Sequence, residues 1–173
     1  MQNIFLLFLT FSLSLNAQEI SNDSIKIQNL EEVVVSSIRV QYNIPIAFNN
    51  MSKDEIANRN LGQDLPILLN FLPNVVTTSD AGAGIGYTGI RIRGVNSQST
   101  NVTINGISYN DAESLGTFWV DLPDFSSSVE NLQVQRGIGT SVNGSSAFGA
   151  SINILTDKIS EKPYFENSGS IGS

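Results

Sequence analysis

Gly84-Ile85-Gly86-Tyr87-Thr88-Gly89-Ile90-Arg91-Ile92-Arg93-Gly94 can be read in two ways, and the choice decides the fold. Its first six residues satisfy G-x-G-x-x-G, and Asp111 follows at about the 20-residue spacing of a dinucleotide site. That site requires the glycines to open a helix whose N-terminus holds the pyrophosphate. Here they open onto a period of two: Ile90 and Ile92 fall on one side, Arg91 and Arg93 on the other, the signature of a half-buried strand. A glycine-rich loop that feeds a strand lacks the helix terminus a dinucleotide needs.

Upstream of this loop the pattern is helical. Ser52-Lys53-Asp54-Glu55 is a capping box, which predicts a helix to about Asn60 ending at Gly62. Asp64 stands as N-cap of a second helix with Pro66 in its first turn. Leu65, Leu68, Leu69 and Leu72 then repeat at helical spacing until Pro73. A short strand is expected at Ile46–Phe48 and another at Asn74–Thr77. Downstream, Val102 and Ile104 lead into Asn105-Gly106, the preferred pair for a tight hairpin turn, and Ile107–Tyr109 returns. Leu132 and Val134 alternate with Gln133 and Gln135, and Ser151–Thr156 makes a last strand. Helices first, then short strands with long loops, gives α+β: two short helices packed on a short-stranded mixed β-sheet.

Composition narrows the chemistry. The chain has 173 residues, a formal charge of −7, no cysteine and no histidine. Thiol nucleophiles, imidazole bases, the usual zinc sites and disulfides are thereby excluded. An acidic chain also lacks the basic footprint that nucleic acid requires. Residues 1–17 read as a secretory signal peptide, with an apolar run from Ile4 to Leu15 and small Ala17 ahead of Gln18. Gly139–Ser145 resembles a phosphate loop but has serine where the lysine must stand, so it is set aside. Asp111, Glu113, Asp121 and Asp124 crowd one loop. Their density suits calcium or, for Asp121 and Asp124, an acid/base pair, but no EF-hand spacing is present and a solvated loop is the preferred reading. Phe118-Trp119 in that loop is either a ligand contact or an aromatic pair folded back into the core. A free-standing secreted ligand- or sugar-binding module with this acidic aromatic loop is the alternative function.

Leu30-Glu31-Glu32-Val33-Val34-Val35-Ser36-Ser37 is a strong strand-former placed in a polar tail with nothing evident to pair with. In chain order the landmarks are this valine run, FLPNVV at Phe71–Val76, IRIRG at Ile90–Gly94, the Asn105-Gly106 hairpin, VENLQVQRG at Val129–Gly137 and GASINI at Gly149–Ile154. Together they resemble the N-terminal plug domain of TonB-dependent outer-membrane transporters of the Bacteroidetes type. One departure is Gln133, where the family pattern has glutamate.

The resemblance implies a set of parts. Glu31, Glu32, Val33, Val34, Val35 and Ser36 would be the TonB box, captured by the TonB C-terminal domain through strand addition. Residues 18–44 would be the periplasmic tail. Its stretch from Ser37 to Ile44 extends about 26 Å, enough to present the box below the plug. Residues 45–158 would be the plug, and 159–173 the start of a barrel of roughly 22 strands, absent from this chain. Arg91, Arg93, Glu130 and Arg136 would contact that barrel, the arginines projecting from strands toward carboxylates. The loops Thr77–Gly89 and Asn110–Asp124 would be outer apices, with Tyr87, Phe118 and Trp119 touching a small-molecule or metal-chelate ligand, most often a ferric siderophore or haem. The resemblance implies no catalytic residue, no resident metal and no cofactor, and an outer-membrane location with the plug facing the periplasm.

Overall fold

The computed structural model describes residues 39, 40, 42, 44–138, 143, 146–160, 162–165, 167 and 169. The expected signal peptide, most of the expected tail and the stretch Glu31–Ser36 lie outside the described residues.

The chain enters the fold as strand β1 (Ala47–Ser52), which runs directly into helix α1 (Lys53–Ala57). Ser52 makes the junction. Its Oγ accepts from the Glu55 N–H at 3.4 Å, and Glu55 Oε2 accepts from the Ser52 N–H at 2.9 Å, so the capping box forms as the sequence predicts. Only Ile56 on α1 is buried, and past Ala57 the helix loosens into turn bonds rather than running on to Asn60. Helix α2 (Leu65–Leu68) carries Pro66 in its first turn. Leu65, Leu68, Leu69 and Leu72 are all buried, so the apolar stripe faces the core although only half of it is regular helix. Asp64 sits at the N-cap, but its carboxylate does not cap. It is buried, accepts from Thr88 Oγ1 at 2.8 Å, and its N–H donates to the Gly84 carbonyl at 2.9 Å. The helix is thereby tied to the glycine-rich loop.

That loop connects β2 (Val75–Ser79) to β3 (Thr88–Ile92), an antiparallel two-stranded sheet in which Val75 pairs with Ile92 and Ser79 with Thr88. The glycines therefore turn a hairpin, and no helix follows them.

The larger sheet has five strands in the order β1-β6-β7-β4-β5, with β4 (Thr100–Ile104), β5 (Ile107–Ser108), β6 (Val129–Arg136) and β7 (Ala150–Thr156). Only β4 and β7 run parallel, which makes the sheet mixed. Between β4 and β5, Asn105 and Gly106 both have positive φ, at 51° and 85°, the geometry a two-residue I′ hairpin needs. Short helices, a mixed sheet and long loops make the fold α+β.

One face of this sheet is the core. Met51, Leu132, Val134, Ile152, Ile154 and Val102 pack there with Ile56, Leu65, Leu69, Ile92 and Trp119. Burying such side chains favours the fold by about 1.5–3 kcal/mol each. Strand alternation sends the intervening residues to the opposite face. Register sets Asn50, Gln133, Asn153 and Thr103 in one cross-strand row, and Phe48, Gln135, Ser151 and Asn101 in the next. This polar face is not solvated: Gln133, Gln135, Ser151, Asn153, Asn101 and Thr103 are all buried.

Candidate functional site

The side chains of interest fall into three places. Arg93 and Arg136 lie toward one end of β6, and Arg91 stands on β3. Arg91 projects outward from β3, opposite the buried Ile90 and Ile92. Arg93 departs from expectation. The strand stops at Ile92, and Arg93 (φ 54°) and Gly94 (φ 80°) form a tight reversal closed by the Val95 N–H donating to the Ile92 carbonyl. Arg93 thus projects from a turn: its N–H still donates to Asn74 O at 2.8 Å, in register with the hairpin ladder, but the left-handed backbone at Arg93 and Asn74 (φ 54° and 61°) ends the extended run. Its guanidinium lies against Gly137, where a β-carbon would stand 2.8 Å from Nη1. Arg136 closes β6, and its Nη1 donates to Pro73 O at 3.2 Å. Among the described residues none of these three arginines has a carboxylate at ion-pair distance; the salt bridge there joins Lys53 to Asp157 at 2.8 Å. Glu130 lies near the other end of β6, about 20 Å from Arg136 at the strand rise. It borders a shallow depression with Lys53, Asp157, Lys158 and Tyr164.

The second place is the loop after β5. Asn110 acts as a substitute strand: its Oδ1 accepts from the Val102 N–H at 2.8 Å, and its Nδ2 donates to the Thr100 and Leu115 carbonyls, both at 2.9 Å. Asp111 Oδ1 accepts from the N–H groups of Ser114 at 2.6 Å and Glu113 at 3.1 Å. These bonds, Ser114's foremost, hold the Asp111 carboxyl below its ordinary value. Asp124 Oδ1 accepts from Ser127 Oγ at 2.7 Å and Asn60 Nδ2 at 3.3 Å. These two carboxylates build turns, and among the described residues no three acidic side chains gather as a metal site.

The aromatic pair separates. Phe118 is 48% exposed while Trp119 is 2% exposed. Trp119 is therefore a core residue and not a ligand contact: a 3-10 turn at Trp119–Asp121 rotates the indole inward, where it joins the cluster with Ile92 and Leu69. Tyr87, in the β2–β3 loop, is exposed as expected.

The third place was not read from the sequence. Arg39 and Val40 lie on the polar face of the large sheet. The Val40 N–H donates to Gln133 Oε1 at 2.8 Å, and Gln133 Nε2 returns a bond to Val40 O at 3.1 Å. Gln133 Nε2 also donates to Asn50 Oδ1, Gln135 Nε2 to Gln133 Oε1, and Asn143 Nδ2 to Gln135 Oε1, each at 2.8 Å. Arg39 Nη2 reaches Asn153 O at 3.4 Å; burial lowers the pKa of this guanidinium, and the Glu130 carboxylate acts against that shift. The signal was the pair of amides at Gln133 and Gln135 on one side of a strand, a pattern that suits a hydrogen-bond ladder as well as a wet surface.

The TonB-dependent Receptor Plug Domain family matches residues 40–151, well over half of the chain. The chain is 33% identical over 144 residues to the Vitamin B12 transporter BtuB of Vibrio vulnificus (strain YJ016), covering 82% of this chain and 22% of that protein. A ferric enterobactin receptor (PfeA) solved in complex with BCV-L6 shares 26% identity at a TM-score of 0.50, over 68% of this chain and 18% of that one. A mutant form of the ferric enterobactin receptor from Pseudomonas aeruginosa gives a TM-score of 0.51 at 24% identity, over 64% of this chain and 17% of that one, a likeness of fold alone. The chain spans about a fifth of the length of each of these proteins. With residues 40–151 matched on this α+β scaffold, the chain belongs to the TonB-dependent receptor plug domain family.

Proposed function

We propose that this chain is the plug region of an energy-coupled outer-membrane importer for a scarce small molecule or metal chelate, a ferric siderophore or haem first among them. The family match across residues 40–151 carries this reading. The relatives' names point the same way, one for vitamin B12 and one for ferric enterobactin. In this reading residues 1–17 are the export signal, 18–44 the periplasmic tail, 45–158 the plug and 159–173 the first residues of the barrel.

Arg91, Arg93 and Arg136 are cations without carboxylate partners among the described residues, which suits charges that meet acidic groups on a barrel wall. Such pairs are substantially desolvated once formed and hold a plug in place until it is displaced. Glu130 belongs to the same set of wall contacts, at the far end of β6. Tyr87 and Phe118 are the ligand-facing side chains. Burial of Trp119 removes half of the aromatic pair on which a free-standing binding module would rely.

Opening is proposed to begin at the tail. Glu31–Ser36 offers an unpaired backbone edge to the TonB C-terminal domain, and four or five added hydrogen bonds at about 1 kcal/mol each give a reversible grip. Val34→Pro removes one backbone donor and blocks the extended pairing without touching the plug. Calorimetric titration of the intact protein with the purified TonB domain is expected to lose binding at least tenfold in this variant. Binding unchanged by Val34→Pro would overturn the assignment of the box.

A further inference from the structure

Val40 is attached to the sheet by a side chain standing in for a strand. The Gln133 carboxamide both accepts from the Val40 N–H and donates to its carbonyl, the exchange that a neighbouring strand would make with its backbone. We propose that Gln133 is a release latch. It holds the tail on the polar face, and breaking this one amide pair frees the chain upstream of β1 while β6 and β7 stay paired.

Three features of the geometry carry the proposal. First, the latch is preset. Asn50 Oδ1 and Gln135 Nε2 fix the orientation of the Gln133 amide, and Asn143 Nδ2 fixes Gln135 in turn. Gln133, Gln135 and Asn143 are at most 3% exposed, so water does not compete for these bonds while the tail is in place. Second, the described residues of the segment are otherwise lightly held. Val40 is buried, but Tyr42 is 89% exposed with its ring tilted against Phe48, and Ile44 is 36% exposed. Among the described residues its further polar tie, from Arg39 to Asn153 O, is 3.4 Å long. Third, the face uncovered by release is mainly amides and hydroxyls, with Phe48 its apolar member, and water satisfies the polar groups on contact. Lifting a segment from the apolar face would instead expose hydrocarbon. Attachment by amides on a polar face is therefore firm when closed and readily reversible.

Gln is required by this chemistry. A carboxylate at position 133 accepts from Val40 but has no N–H for the Val40 carbonyl or for Asn50. The use of the latch in transport rests on the proposed TonB grip at Glu31–Ser36; the latch itself does not.

The sequence contains no cysteine, so Ser37→Cys gives a single spin-label site upstream of Val40. In the intact protein, Gln133→Leu removes both bonds at similar size, and Val40→Pro removes the tail's donor without altering the sheet. Both variants are expected to raise the mobile fraction of the label about tenfold, and in Val40→Pro, which leaves the amides of the sheet untouched, amide exchange in β6 and β7 stays within about twofold of the parent. Spectra unchanged in either variant overturn the latch. So does mobility in Val40→Pro that appears only together with faster exchange throughout β6 and β7, since the segment would then be holding up the sheet. If Gln133→Leu does not fold, Val40→Pro decides. Failure of TonB to bind the tail leaves these spectra as they are, so the two readings fail separately.

Discussion

The two faces of the five-stranded sheet alternate along the same strands, yet they hold the molecule in different ways. On one, Leu132, Val134, Ile152 and Ile154 are sealed by the helices, the β2–β3 hairpin and Trp119. On the other, Gln133, Gln135, Ser151 and Asn153 are sealed just as completely, beside Arg39, Val40 and Asn143. The apolar face gains free energy from contact of any orientation, in proportion to area. The polar face gains little net, about 1 kcal/mol per bond, but loses more when one partner is withdrawn and the other stays dry. The first face therefore supplies stability, and the second supplies position: it fixes where a segment lies without making that placement expensive to undo.

The sharpest way to separate the faces is to truncate adjacent residues of one strand. Leu132→Ala opens a cavity in the core and is expected to lower unfolding stability by about 2–5 kcal/mol in urea titration. It should do so without specific loss of tail attachment, since Leu132 makes none of the bonds to Val40. A cost below about 1 kcal/mol would mean that the apolar face is not the main source of stability.

A smaller effect is expected from the amide ladder. Gln135→Leu leaves Asn143 Nδ2 and Gln133 Oε1 each short of a bond, which predicts a cost of about 1–3 kcal/mol. Because the two amides share one bond, the double variant Gln135→Leu/Asn143→Leu should cost less than the sum of the single variants, with a coupling of about 0.5 kcal/mol or more. Strict additivity in urea unfolding would break the ladder into independent residues.

The apolar face was the legible one. Leu65, Leu68, Leu69 and Leu72 declare it by spacing, Ser52 and Glu55 declare the start of α1, and Asn105-Gly106 declares the hairpin. Each of these signals is local, carried by residues within a turn or two of one another. The polar face was not legible because its meaning depends on distant partners. Gln133 reads as a solvent-facing strand residue until Val40, 93 positions away, is laid over it. Arg93 was misplaced for a different reason: period two describes Ile90 to Ile92, but the left-handed backbone of Arg93 and Gly94 turns the chain one residue early. Trp119 beside Phe118 shows the limit of composition, since two adjacent aromatics share a loop and point to opposite sides of the surface. The stretch Glu31–Ser36 takes its proposed role from the family resemblance alone and lies outside the described residues.

The faintest expected effect uses pH to tell a charged turn from an uncharged ladder. The N–H groups of Ser114 and Glu113 hold the Asp111 carboxyl below its ordinary value of 3.8, so the ionised form favours the folded loop. A depressed folded pKa gives a contribution fully present above 3.8 and lost as pH falls through the lower folded value. Exchange of the Ser114 and Leu115 amides, corrected for intrinsic rate, should therefore accelerate on acidification through that window. Asp111→Asn keeps an acceptor oxygen for the same turn and should flatten the dependence, whereas Asp111→Ala should loosen the loop at every pH. The Asn143–Gln135–Gln133 ladder contains only carboxamides, so the Val40 amide should show no matching transition. Were Val40 and Ser114 to loosen together over that range, the latch would be coupled to a titrating group, with the Glu130 carboxylate that acts on neighbouring Arg39 the first to test, and the carboxamide ladder could no longer be treated as the whole attachment.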